Sequence, residues 1–279
     1  MARSAGRSIP SLALLAAVAL LARPLAAQDN PPFWRWVDAR DGFCIWYLAD
    51  PAEAPGLLPA GVTPRPATEI AELPGILRRI VQDEPRFAAW VPGLVCVGRF
   101  AVVAANGEPV ANIEQEGHPV LYVLSALAAR GGGGGDDLEW QLLELGLDAG
   151  PLDRIGNDLE ISSQDRSLPV RQGVEGEDDQ WSLRLDGAEL IWSGHRTGES
   201  RVGSTRMMSF GYVGRRNSVW RIDLQTSPGT EQEQVGSLRV EGRGGLARAL
   251  KSSPIRAVAA LQAGGEATMT FRRGSSRTP

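Results

Sequence analysis

Apolar and polar residues alternate in short segments along most of the chain after Trp34. This period of two is typical of half-buried β-strands. The dipeptides Asn106-Gly107 and Asp186-Gly187 each separate two such segments, and both favour the two-residue turn of a β-hairpin. Further strands are predicted at residues 118–125, 158–162, 206–212, 218–224, 235–241 and 267–272. The pattern therefore predicts a mainly β protein with antiparallel pairing.

Three short segments carry helical rather than alternating spacing, at residues 138–145, 245–251 and 254–261. Two aspartates precede the leucines of the first segment, and acidic residues favour the start of a helix. The glycine run 131–135 predicts a flexible surface connection, and the polar stretch 173–179 predicts a second loop. A few short helices are thus expected beside the strands.

The N-terminal segment has the order of a secretory signal peptide, in which basic residues precede an apolar run and then small residues. Arg3 and Arg7 precede the uncharged run 12–22, and Ala26-Ala27 follow it. The run is about half of the roughly 20 residues that a membrane-spanning helix needs. We therefore expect a cleaved signal peptide at residues 1–27 and a single β domain over 28–279. The mature protein is expected to be extracytoplasmic, either periplasmic or secreted, without stable membrane insertion.

The charge balance narrows the choice of partners. The chain has a formal net charge of −4, and removal of the signal peptide with its arginines makes the remainder more acidic. Nucleic acids and anionic membranes attract basic surfaces, so neither is an expected partner. A small-molecule ligand remains possible, and the sequence leaves the oligomeric state open.

The chain has two cysteines, Cys44 and Cys96, and each lies in an apolar segment that is predicted to form a strand. In an oxidising compartment, an even number of cysteines favours a disulfide. Two separate buried thiols are the alternative, because free cysteine is one of the most buried residue types. We predict the disulfide Cys44–Cys96.

Nucleophilic hydrolysis has little support, because the chain has only two histidines, His118 and His195, and no Gly-x-Ser-x-Gly turn. His195 follows a predicted strand and is expected in an exposed loop. Two distant histidines and two paired cysteines offer no close-spaced metal ligands, so no metal or cofactor is predicted. Glu114 and Glu116 would share one face of a strand, either as a carboxylate pair with split pKa values or as ordinary exposed charges.

Tryptophan is the more informative residue type, because there are eight of them. Trp46, Trp181, Trp192 and Trp220 lie in predicted strands, so some of the tryptophans are expected to fill the core. The remaining tryptophans could line an apolar pocket.

Two segments together resemble the acetoacetate decarboxylase family. Residues 45–62 run from a strand through a short turn to Leu58-Pro59-Ala60-Gly61-Val62, as in that family's N-terminal element. Residues 235–271 resemble its closing strand, helix and strand. The resemblance implies an antiparallel β cone or barrel with an internal cavity.

Activity in that family depends on a lysine that forms a Schiff base with a keto acid. The corresponding turn here is Gly150-Pro151-Leu152-Asp153, which contains no lysine. The only lysine in the chain is Lys251, at the end of a short predicted helix. An arginine cannot replace it, because a guanidinium stays protonated. The family's usual mechanism is therefore not expected, and no catalytic residue is predicted.

The sequence favours an exported, non-catalytic binder of a small apolar or carboxylate-bearing molecule in a barrel cavity. Two alternatives remain open. One is a lyase or hydrolase that uses carboxylates in the same cavity. The other is a structural, envelope-associated protein with a filled barrel.

Overall fold

Strands dominate the computed structural model of the chain. It describes residues 33–71, 73, 75–106, 108–112, 120–131, 140–148, 170–175, 178–185, 187–202, 206–214, 218–253, 256–263 and 265–273. The strands are β1 Phe33–Ala49, β2 Val62–Pro64, β3 Val91–Ala105, β4 Glu108–Asn112, β5 Val120–Gly131, β6 Trp140–Asp148, β7 Val170–Glu175, β8 Asp178–Leu185, β9 Ala188–Val202, β10 Arg206–Val213, β11 Val219–Thr226, β12 Thr230–Gly242, β13 Arg256–Ala263 and β14 Glu266–Arg273. The α-helices of this part are α1 Gly75–Asp83 and α2 Gly245–Ser252, and short 3-10 turns lie at Ala54–Leu57, Ala67–Glu69 and Pro85–Ala89.

Seven of the strands close into a barrel, in the order β1, β3, β5, β6, β10, β11, β14 and back to β1. The β6–β10 pair is parallel, and the other neighbours in this ring are antiparallel. The mainly β barrel expected from the sequence is thus confirmed, although the barrel is mixed rather than wholly antiparallel.

Strand β1 belongs to two curved sheets at once. Its first part, Phe33–Val37, pairs with β14 of the barrel. Its second part, Gly42–Tyr47, pairs with β13, which continues through β12, β9 and β8 to β7. We call the strands β13, β12, β9, β8 and β7 the second sheet. Throughout its length the other edge of β1 pairs with β3.

The two sheets curve toward opposite faces of β1. On one face, Trp46 contacts Trp140 of β6 across two intervening strands, with ring centroids 5.9 Å apart. On the other face, Phe43 contacts Trp181 of β8, with centroids 5.1 Å apart. Because successive side chains of a strand point to opposite faces, β1 contributes to both cores. We call the side that carries Trp46 the barrel interior.

Alternation and turn residues account for much of this architecture. In β14, Ala267, Met269 and Phe271 are buried, while the residues between them are half-exposed. Both predicted hairpins are present, since Asn106 at φ 52° precedes β4, and Gly187 at φ 69° precedes β9. Positive φ is the conformation for which asparagine and glycine are favoured.

Three local predictions were wrong. Residues 140–148 form β6 rather than a helix, because a bulge at Leu143 disturbs the alternation and leaves leucines at a helix-like spacing. Residues 256–263 form β13, because pairing with β1 and β12 outweighs local helix preference. Much of the expected loop 173–179 belongs to the β7–β8 pair.

The helix predicted near residue 245 is confirmed as α2, which buries Leu246, Ala247, Ala249 and Leu250. It contacts β1, β9, β12 and the turn Ala54–Leu57. Neither of the α-helices in the described part of the chain is long and apolar enough to cross a membrane. The signal peptide expected at residues 1–27 and the strand expected at 158–162 lie outside the described residues.

Candidate functional site in the barrel interior

Aromatic side chains line the barrel interior. Trp34 contacts Phe271 of β14 edge-on at 4.6 Å between ring centroids, and it contacts Trp36 at 6.2 Å. Trp36 in turn lies 6.1 Å from Phe100 of β3. All four rings are buried. Their edge-to-face and tilted geometries are those that aromatic pairs prefer.

One part of the barrel wall is reached by solvent. On β1, Phe43, Ile45 and Tyr47 are buried, whereas Cys44 and Trp46 on the opposite face are only half-buried. Cys44 and Trp46 face the barrel interior, so solvent partly reaches these two side chains, whereas Trp140, the ring partner of Trp46, is buried. An apolar wall that remains accessible is characteristic of ligand sites.

The predicted disulfide is present in the same wall. Cys44 and Cys96 are directly paired on β1 and β3, with an S–S distance of 2.04 Å and a Cα–Cα distance of 4.1 Å. The bond links the strand that both sheets share to its neighbour in the barrel.

The indole N–H of Trp34 is a buried donor without an acceptor. Its Nε1 atom is inaccessible to solvent and has no hydrogen-bond partner. Leaving a buried donor unpaired costs about 1–3 kcal/mol. Such groups call for an explanation, and a bound molecule or an ordered water is the usual one.

Polar residues are scarce in the buried regions. Apart from tyrosine and tryptophan, the polar and charged side chains that are buried among those whose burial the structure describes are Ser125, Gln141 and Ser253. The described residues also contain no group of three or more histidine, cysteine, aspartate or glutamate side chains placed to hold a metal. Glu114, Glu116, His118 and the turn 150–153 lie outside the described residues.

The two basic residues discussed above as catalytic candidates lie at the surface. His195 is exposed on β9, where it pairs with Val235 of β12, so its expected position in a loop was wrong. Lys251 is exposed near the end of α2, as expected, and its Nζ donates to the carbonyl oxygen of Gly242 at 2.8 Å.

Tyr47 is the buried titratable group of greatest interest. Burial raises the pKa of its phenol well above the ordinary value, so the hydroxyl stays protonated at neutral pH. The hydroxyl has no hydrogen-bond partner, and the Oγ atom of buried Ser125 also has none. Both residues lie on the face of the sheet opposite to the barrel interior.

Sequence reasoning missed Trp34, Tyr47 and Ser125. A signal existed for Trp34, because Trp34 and Trp36 are spaced as inward-facing residues of one strand. Tyr47 lies within the segment that resembles a known family, but nothing local distinguishes its hydroxyl. No signal identified Ser125, because serine is common at exposed positions.

The tryptophans expected in the core occupy strands as predicted. Trp181 and Trp192 are a directly opposed pair on β8 and β9 of the second sheet. Trp220 lies on β11 of the barrel. All three are buried, whereas Trp46 is half-buried and belongs to the wall of the candidate site.

Comparison with known proteins supports the fold. No family model matches the chain, and no curated protein matches it in sequence. Among solved structures, it is similar to an acetoacetate decarboxylase-like enzyme from Sphingomonas wittichii RW1, with a TM-score of 0.50, 11% identity and coverage of 88% of this chain and 94% of that one. It is also similar to the acetoacetate decarboxylase from Legionella pneumophila, with a TM-score of 0.51, 12% identity and coverage of 88% and 87%. The chain therefore has the fold of the acetoacetate decarboxylases, a fold that is known in enzymes.

Proposed function

We propose that the closed barrel binds a small molecule that has an apolar body and an oxygen acceptor, without transforming it. The observation that carries this proposal is the unpartnered N–H of Trp34 among buried aromatic rings. An indole N–H can only donate, so its partner must be an acceptor such as a ketone or carboxylate oxygen.

The surrounding side chains support the apolar part of this proposal. Trp34, Trp36 and Phe271 offer ring surface next to the donor, and aromatic residues contribute large contact areas. Half-buried Trp46 lies where the wall is reached by solvent, which offers a route of entry. One orienting donor on an apolar wall is a common arrangement in ligand pockets.

The substitution Trp34→Phe tests the role of the donor, because it removes the N–H and keeps an aromatic ring. We expect it to weaken binding of methyl pentyl ketone about tenfold, as loss of one hydrogen bond predicts. Binding of the isosteric alkene, in which a methylene group replaces the ketone oxygen, should change much less. Tryptophan fluorescence titration of the purified protein measures both affinities, and heptanoate tests a carboxylate acceptor.

Trp90→Phe is the matched control, since Trp90 lies beside Phe87 at the turn Pro85–Ala89, outside the barrel wall. Equal ketone affinity in the wild type and the Trp34→Phe variant would contradict the proposal. Absence of binding by every probe would favour a filled structural barrel. Release of carbon dioxide from a β-keto acid would favour the lyase alternative.

We further propose that the protein is exported after loss of residues 1–27. The disulfide Cys44–Cys96 supports this placement, because structural disulfides persist mainly in oxidising compartments. N-terminal sequencing of the protein from the producing cell should give a start at or near Gln28. Recovery of the intact Met1 or Ala2 terminus would refute export by this route.

A further inference from the structure

A second group of buried polar side chains lies on the face of β1 opposite to the barrel interior. Tyr47 of β1 is paired with Gly93 of β3, and the neighbouring pair on β3 and β5 is Val95 with Ser125. Paired residues share a face of the sheet, so the two hydroxyl-bearing side chains lie on one face, one strand apart.

Gly93 allows the tyrosine ring to lie across β3. A Cβ atom added at Gly93 would come within 2.3 Å of Cζ and 2.6 Å of the hydroxyl oxygen of Tyr47. The ring therefore occupies the space that a side chain would otherwise fill. The hydroxyl of Tyr47 lies above β3. This strand separates β1 from β5, which contains Ser125.

Neither hydroxyl has a partner. The Tyr47 hydroxyl and Ser125 Oγ are both inaccessible to solvent and make no hydrogen bond. One unsatisfied buried hydroxyl costs free energy, and two on the same face of neighbouring strands call for an explanation. Raised pKa and burial keep the phenol of Tyr47 protonated, so it remains available as a donor.

The neighbouring residues add further polar groups to the same face. Gln141 of β6 is buried and is aligned with Tyr47 through Gly93 and Leu127. Two of the three buried polar residues named above, Ser125 and Gln141, therefore lie on this face. Buried polar groups that gather on an otherwise apolar face are a feature of binding sites.

The charge nearby limits what could bind. Glu144 of β6 is half-buried and directly paired with Ser125, so a carboxylate lies on the same face. An isolated charge is costly to bury on this largely apolar face, so a charged ligand is disfavoured. An uncharged acceptor avoids this cost.

We propose that Tyr47 and Ser125 form a second binding site that holds the oxygen of an uncharged carbonyl group. Both hydroxyls donate to that oxygen, which has two lone pairs to accept them. The site is separate from the one proposed near Trp34, because Tyr47 and the barrel interior lie on opposite faces of β1. A negative result for the Tyr47–Ser125 site would therefore not contradict the proposal for the barrel interior, and the reverse also holds.

The test measures binding of cyclohexanone and of methylenecyclohexane, its isostere without an oxygen, by saturation-transfer NMR. The measurements use a Trp34→Phe background, which weakens ketone binding in the barrel. We expect cyclohexanone to bind, and both Tyr47→Phe and Ser125→Ala to raise its dissociation constant about tenfold, the size of one lost hydrogen bond. Neither substitution should alter binding of the isostere appreciably.

Thermal unfolding of the same variants without ligand separates a ligand site from a trapped water. Neither substitution should lower the midpoint, because each removes a hydroxyl that has no partner. A lower midpoint with an unchanged dissociation constant would mean that the hydroxyls bond an ordered water only, which overturns the proposal. Absence of ketone binding in the background protein, or equal binding in all variants, overturns it as well. Ser125→Ala keeps the test usable if Tyr47→Phe does not fold.

Discussion

Replacing both Cys44 and Cys96 with alanine is expected to lower the free energy of unfolding by about 4 kcal/mol. The two residues are separated by 52 positions, and the bond restricts the unfolded chain over that whole length. The effect is a large fraction of the roughly 5–15 kcal/mol that stabilises an ordinary domain. Urea unfolding followed by tryptophan fluorescence measures the loss.

Reductant provides the control for this prediction. Dithiothreitol should destabilise the wild type by a similar amount and leave the double-alanine variant unchanged. A loss below about 1 kcal/mol would show that the crosslink hardly restricts the unfolded state, contrary to the chain-entropy estimate.

Phe43→Ala is expected to cost about 3–5 kcal/mol, the range observed for removal of a buried aromatic ring. Phe43 is buried, and its ring contacts Trp181 of β8. Its removal therefore leaves a cavity between the shared strand β1 and the second sheet. The difference in unfolding free energy between the variant and the wild type measures the cost.

Two further variants test whether burial is the cause. Phe43→Leu should lose less, because it keeps more of the buried volume. Val235→Ala should have little effect, because Val235 on β12 is 57% exposed. A small loss in Phe43→Ala would argue that the second sheet can close over the missing ring.

Short-range features of this protein could be predicted from its residues. The β-hairpin at Asn106 and the one at Gly187 depend on residues that accept positive φ, which is a local property. Helix α2 was predictable because its apolar residues have helical spacing, and this segment does not pair with a strand. The disulfide was predictable because only two cysteines exist and both lie in strands.

The errors share a physical cause. A bulge at Leu143 mimics helical spacing in β6, and residues 256–263 form β13 only because β1 and β12 lie on either side of them. Strand formation depends on cross-strand neighbours, so a local window cannot decide it. The loop predicted at residues 173–179 was wrong for the same reason, because most of these residues pair with one another in β7 and β8.

The amino-acid sequence by itself determined a mainly β protein, its two hairpins, its disulfide and the absence of a lysine from the turn 150–153. These features depend on composition, on turn chemistry and on alternation over a few residues. Only the tertiary structure decided that β1 serves two curved sheets, with Trp46 on one side and Phe43 on the other. The tertiary structure also decided that the N–H of Trp34 and the hydroxyls of Tyr47 and Ser125 are buried without hydrogen-bond partners. The reason is that burial and hydrogen bonding depend on pairings between strands far apart in the chain, which no local pattern records.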